Sequence, residues 1–282
     1  MRSFGPNPWQ QTHWDWRAAA NFICGGAGAG MIALTPFTGA QGVLRVIALL
    51  LGLALVGFGL FCVWTEIGRP LRALNVFFNP RTSWVTREAL IATLLLPVTL
   101  TATAGGVVTA WLAAALALAF VYCQGRILLA ARAIPSWREP MIVPLIVLTG
   151  LAEGAGLWLL AEPLQIAGSG ATLTFLAALV LARSLLWPFY RSRLAAVAAV
   201  PALAALDSAG RWLLWLGAVL PLTLLTLVAS GLLTPPFVVA LLACAGVTII
   251  ATGAWFKFVL ITRAGFNQGF ALVHLPVRGV PR

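Results

Sequence analysis

Eight runs of about twenty apolar residues dominate this chain of 282 residues, at roughly 18–36, 43–65, 87–105, 107–125, 141–161, 170–190, 211–230 and 236–258. A helix needs about that length to cross a hydrocarbon core roughly 30 Å thick. With 61 % of residues hydrophobic and only 9 % charged, the chain has more apolar surface than a water-soluble domain can cover. Strand-like alternation is absent, and in lipid only helices or closed barrels satisfy the backbone. The expected fold is therefore an all-α integral membrane protein. One polytopic domain spans 1–282, with eight transmembrane helices in two four-helix bundles, an interfacial tail at 1–17, a loop at 66–86 and a second tail at 259–282.

The formal charge of +11 invites a nucleic-acid reading, but the placement of charge argues otherwise. With eight spans, both tails and the connections 2–3, 4–5 and 6–7 share one side. Those segments and the adjoining helix ends carry 17 of the 18 basic residues, leaving Arg45 alone on the other. Basic residues collect on the cytoplasmic side, so both termini are expected there and the basic excess reads as a topology signal. The polar N-terminal tail, with Trp9, Trp14 and Trp16, reads as an interfacial anchor rather than the short basic start of a cleavable signal. The basic C-terminal tail has no lipidation motif.

The sequence also limits the cofactors. Cys24, Cys62, Cys123 and Cys244 fall in four different spans, without the close spacing that zinc or iron–sulfur ligation needs. The two histidines, His13 and His274, lie in the tails, whereas a transmembrane haem b needs them facing each other inside the helices. No haem, cluster or metal is expected in this chain. The run GGAGAG at Gly25 to Gly30 follows no strand and lies within a span, so it is no nucleotide loop. Small residues four apart favour backbone-to-backbone helix packing, and they also strip a helix face beside which a flat ring fits.

Against this apolar background, Trp64 to Glu88 (WTEIGRPLRALNVFFNPRTSWVTRE) is a polar island with four arginines and two glutamates. Ionisable residues at a membrane edge mark a functional site by default, because lipid does not solvate them. Other polar residues fall at the same ends of the first four spans: His13, Trp14, Asp15, Arg17 and Asn21 at span 1, Glu66 and Arg69 at span 2, Arg87 and Glu88 at span 3, and Tyr122, Gln124 and Arg126 at span 4. A four-helix bundle gathers them around one pocket, and such a pocket suits a quinone. The quinone carbonyls need hydrogen-bond donors, its ring needs apolar and aromatic walls, and its two-electron reduction needs two protons. Glu66 and Glu88 are the candidate proton donors, with His13, Trp16, Asn21, Arg69 and Tyr122 as ring-binding candidates. The competing reading has both glutamates paired with Arg69, Arg72 or Arg87, fixing the loop. Glu153, in mid-span between small residues, is a candidate for a proton path or a carboxyl satisfied by a neighbouring helix.

FICGGAGAG in span 1, followed after span 2 by IGRPLRALNVFFNPRTSWVTREA, resembles the NrfD, polysulfide reductase and dimethyl sulfoxide reductase membrane-anchor family. The likeness runs over essentially the whole chain. Its terminal stretches, FGPNPWQQTHWDWRAAANF and KFVLITRAGFNQGF, look most like membrane subunits of phenylacetyl-CoA:acceptor oxidoreductases. The resemblance implies a haem-free, quinone-reactive subunit working with a four-cluster iron–sulfur subunit and a molybdopterin catalytic subunit. It implies that electrons pass from the last cluster straight to ubiquinone or menaquinone. It also implies that the 2–3 loop is the docking face, placing Arg72, Asn75, Asn79, Arg81 and Trp84 at the partner. In the dimethyl sulfoxide reductase anchors a histidine ending span 2 and a glutamate opening span 3 serve quinol. Glu88 matches the glutamate, and Glu66 stands where the histidine would be, a departure that substitutes a second carboxyl for an imidazole. Trp16 and Asn21 correspond to groups lining the polysulfide reductase site.

Because that loop falls on the arginine-rich side, the catalytic partners are expected in the cytoplasm of a bacterium, oxidising an internal metabolite such as an acyl-CoA or sulfite. Two other readings compete. A transporter would carry solute at the bilayer midplane between inverted repeats, where only Glu153 lies deep. An anchor without chemistry would leave Glu66 and Glu88 without a use.

Overall fold

The computed structural model describes residues 8–67, 70–161 and 163–269. Eight helices are long and apolar enough to cross a membrane. They are α1 (Trp16–Thr38), α2 (Gly42–Glu66), α3 (Trp84–Ala102), α4 (Val107–Ala130), α5 (Ile142–Ala161), α6 (Gly170–Leu194), α7 (Val200–Ala229) and α8 (Pro235–Thr262). A 3₁₀ helix over Pro70–Phe78 lies in the α2–α3 loop, and a short helix over Pro163–Gly168 precedes α6. No strand occurs among the described residues, only one isolated bridge between Gln10 and Phe266.

Helix starts follow capping chemistry. Asp15 accepts from the backbone N–H of Arg17 at the start of α1, Ser83 from that of Thr86 at α3, and Ser169 from that of Thr172 at α6. Helices α7 and α8 extend beyond the sequence-based boundaries. Helix α7 begins at Val200, eleven residues before Arg211, with Pro201 in its first turn, where a missing N–H costs no helical hydrogen bond. Helix α8 runs on to Thr262, where a tail is expected from 259.

α1 and α5 are the inner helices, with 83 % and 67 % of their apolar windows enclosed by protein. Small residues make that possible, since lipid supplies no hydrophobic drive between helices and close backbone approach supplies the contact instead. Gly28 meets Gly52 of α2, Gly30 meets Gly150 and Gly154 of α5, and Gly156 on the far side of α5 meets Gly246 of α8. A Cβ on Gly154 would come within 2.7 Å of the Gly30 Cα, so neither position has room for a side chain. The glycine run of span 1 is therefore a packing surface. Further contacts join α3 to α4, α1 to α4, α6 to α5 and α7 to α8.

The two terminal stretches are knitted together at one end of the helices. Trp9 and Asn267 exchange hydrogen bonds, and the Gln11 N–H donates to the Gly265 carbonyl at 2.8 Å. The Gln11 side chain donates to the carbonyls of Trp14 and Ile261. Arg45, the lone cation expected on the opposite side, donates to the Ala102 and Gly106 carbonyls and so ties off the end of α3. Arg183 and Lys257 depart from the expected charge distribution. Both are wholly buried within the helix packing, so neither marks a membrane face.

Candidate functional site

At the end of the helices where the two terminal stretches meet, α1 to α4 line a half-open cavity of about 250 Å³. Its walls are Trp14, Ala18, Asn21 and Phe22 from α1 and its approach, Val63, Glu66 and Ile67 at the end of α2, Val85 and Glu88 at the start of α3, and Ile127 of α4. An apolar cavity of about 150 Å³ takes a benzene ring, so this one has room for a single substituted six-membered ring. The lining is largely apolar and aromatic, with one amide and two carboxyl groups set into it.

The geometry builds up from the start of α1. Arg17 folds back on its cap Asp15, with an NH2-to-Oδ2 distance of 2.8 Å, and donates through NH1 to the Thr65 carbonyl at the end of α2. Its guanidinium holds the Asp15 carboxyl below its ordinary pKa. This clamp fixes α1 against α2 beside Glu66. One turn further, the backbone widens into a π turn over Asn21–Gly25. Such turns displace carbonyls from the helical ladder and recur at functional sites. Here neighbouring side chains take them up. Gln124 Nε2 of α4 donates to the Asn21 carbonyl at 2.9 Å, and Lys257 Nζ of α8 donates to the Phe22 carbonyl at 2.8 Å. Gly25 and Gly26 admit them, since a Cβ on Gly25 would sit 2.8 Å from Gln124 Nε2 and one on Gly26 would collide with Lys257 Nζ.

Asn21 then directs its amide at Glu88, Nδ2 to Oε1 at 3.3 Å, with both residues buried. Glu88 therefore rests on an amide from α1 and faces the cavity. The adjacent Arg87 makes the loop contacts instead, donating to the carbonyls of Pro80 and Arg81 at 2.8 and 2.7 Å. The loop is held by backbone acceptors, which leaves the Glu88 carboxyl to the cavity.

Of the residues expected from sequence, the structure brings Asn21, Glu66 and Glu88 to this one cavity. His13 and Trp16 depart from expectation: both are exposed, and Trp14 forms the wall in their place. Trp14 is held there by Trp137, with ring centroids 4.9 Å apart. Tyr122 also departs. Half exposed, it turns away to accept from Arg126 at 2.7 Å and packs edge-on against Trp84. The guanidinium groups of Arg87 and Arg126 lie over that Trp84 ring at 4.0 and 4.2 Å. Arg69 lies outside the described residues. Arg72, Asn75, Asn79 and Arg81 are exposed along the loop, beside the exposed apolar side chains of Leu74 and Phe78, while Trp84 is half-buried.

Glu153 lies elsewhere, with its Oε2 2.6 Å from Lys257 Nζ and both side chains fully buried. A second π turn, over Trp215–Val219 of α7, repeats the pattern, its Gly217 carbonyl accepting from the buried Arg183 at 2.5 Å. The sequence signal for these partners is a lone cation within an apolar run, WFKFVLIT for Lys257 and LARSLL for Arg183. The π turns themselves have no sequence signature. Comparison with protein-family models and with curated proteins returns no match for this chain.

Proposed function

We propose that this multi-pass membrane protein is the quinone-reactive membrane subunit of an oxidoreductase complex, of the NrfD, polysulfide reductase and dimethyl sulfoxide reductase anchor kind. The observation that supports it most is the cavity. Four helix ends line a ring-sized apolar space containing Glu88, Glu66 and Asn21, directly beside the loop that exposes Arg72, Asn75, Asn79 and Arg81. The helix contacts support two four-helix sets, α1–α4 around the cavity and α5–α8 behind it, joined through α1 and α5.

In this reading an iron–sulfur subunit with four clusters, itself joined to a molybdopterin catalytic subunit, seats on Arg72, Asn75, Asn79 and Arg81 and covers Leu74 and Phe78. Its terminal cluster would supply two electrons to ubiquinone or menaquinone in the cavity, and the adjoining aqueous side would supply the two protons that quinol needs. Trp14 and Phe22 wall the ring. Glu88 holds a proton at the carbonyl it faces, oriented by the Asn21 amide, and Glu66 serves the opposite wall. The arginine-rich loop and both tails face the cytoplasm of a bacterial inner membrane, so the electrons come from an internal substrate such as phenylacetyl-CoA.

The test is Glu88→Gln in the complex with its native partners. Quinone-linked turnover falls about a hundredfold, the usual scale for losing one positioned acid, while dye-linked activity of the catalytic subunit persists. Equal loss of both activities would show an assembly defect and contradict the assignment.

A further inference from the structure

We propose that the seam between α2 and α3 holds the isoprenoid tail of the quinone and is the lateral door from lipid to the cavity, an inference that rests on the quinone reading above. The seam contains a second cavity of about 300 Å³, walled by Leu53, Gly57 and Leu60 of α2, Ala92 and Leu96 of α3, and Phe77 of the loop. It is continuous in register with the ring-sized cavity. On α2, Leu53, Val56 and Leu60 lead by steps of three and four to Val63 and Ile67 of the first cavity. On α3, Leu96, Ala92 and Ala89 lead likewise to Val85, with Glu88 alongside. Steps of three and four keep to one helix face, so α2 and α3 each turn the same face to both cavities.

The chemistry of the groove matches a branched hydrocarbon. Its one hydroxyl, on Thr93, is occupied in donating to the Ala89 carbonyl at 2.9 Å. The other lining side chains are apolar. Of all consecutive spans, α2 and α3 touch each other least. Gly57 has no neighbour within 4 Å of where a Cβ would stand, so a side chain there would occupy the groove rather than press on a packed helix. A phospholipid acyl chain would fill only the groove. A quinone fills both spaces at once, ring against Glu88 and tail along α2.

Gly57→Phe tests this by filling the groove while leaving every residue of the ring cavity in place, with Gly57→Ala as the control. Quinone is extracted and quantified from the full purified chain. Binding of a tail-less benzoquinone is followed in parallel by quenching of tryptophan fluorescence. Gly57→Phe should lose most of its long-tailed quinone, because the phenyl ring takes the space of the tail in the groove. It should bind the tail-less ring as the wild type does, and Gly57→Ala should match the wild type in both assays. Gly57→Phe retaining long-tailed quinone at the wild-type level would overturn the seam while leaving the cavity reading intact. Loss of the tail-less ring together with the long-tailed one would also overturn it. A wild-type chain that binds neither molecule would overturn the quinone reading itself.

Discussion

Lys257 shows how a single residue can be costly and structural at once. A charge buried within an apolar span is costly unless it is paired. Lys257 meets that cost with two acceptors, the Glu153 carboxylate at 2.6 Å and the Phe22 carbonyl displaced by the π turn at 2.8 Å. Of the two readings the sequence left open for Glu153, the geometry supports a carboxyl satisfied by a neighbouring helix, here through an ammonium. Removing one partner strands the other charge, which typically costs about 3–5 kcal/mol, while replacing both with apolar residues is often neutral. Lys257→Met should therefore lower the thermal midpoint of the detergent-solubilised chain sharply, and adding Glu153→Leu should restore most of it. A neutral single variant would contradict this. Asp15 is the contrasting surface case. Arg17 depresses its pKa below the ordinary 3.8, so the clamp on α2 is intact above that value and loosens only as pH falls through the lowered one.

At the scale of elements, the spans were legible because each must present about twenty apolar residues to lipid, a constraint local in sequence. Their ends were legible where the connection is short, as at Val107 and Gly170, and misplaced elsewhere: α3 begins at Trp84, capped by Ser83, rather than at 87, and α7 at Val200 rather than 211. The cavity was half legible. Asn21, Glu66 and Glu88 could be grouped because they fall at like ends of neighbouring spans. Which face of each end turns inward depends on crossing and rotation, so Trp14 rather than Trp16 forms the wall. The glycine faces of α1 and α5 set those crossings. Gly30→Val would drive a methyl into the Gly150 carbonyl of α5, and overpacking of this kind costs about 1–3 kcal/mol. A thermal shift of several degrees should follow. Gly57→Ala, at a position with open space around it, should leave the midpoint unchanged. Equal midpoints for the two variants would contradict the packing described for α1 and α5.

For the whole molecule, the decisive feature is the position of one cavity. It lies at the end that also carries the joined tails and the exposed arginine-bearing loop, and α1 to α4 all contribute to it. A docked electron donor over that loop and a diffusible acceptor below it would give the arrangement a single use. The inner position of α1 follows from the same demand, since it must present Asn21 and Phe22 to the cavity and the Phe22 carbonyl to Lys257 on the other side. Photolabelling with an azidoquinone, followed by peptide mapping, tests the central claim most directly. The account predicts label on the segments holding Trp14 to Phe22, Val63 to Ile67 and Val85 to Glu88, abolished by excess unlabelled quinone. Label scattered over the lipid-facing helices and indifferent to competitor would contradict it.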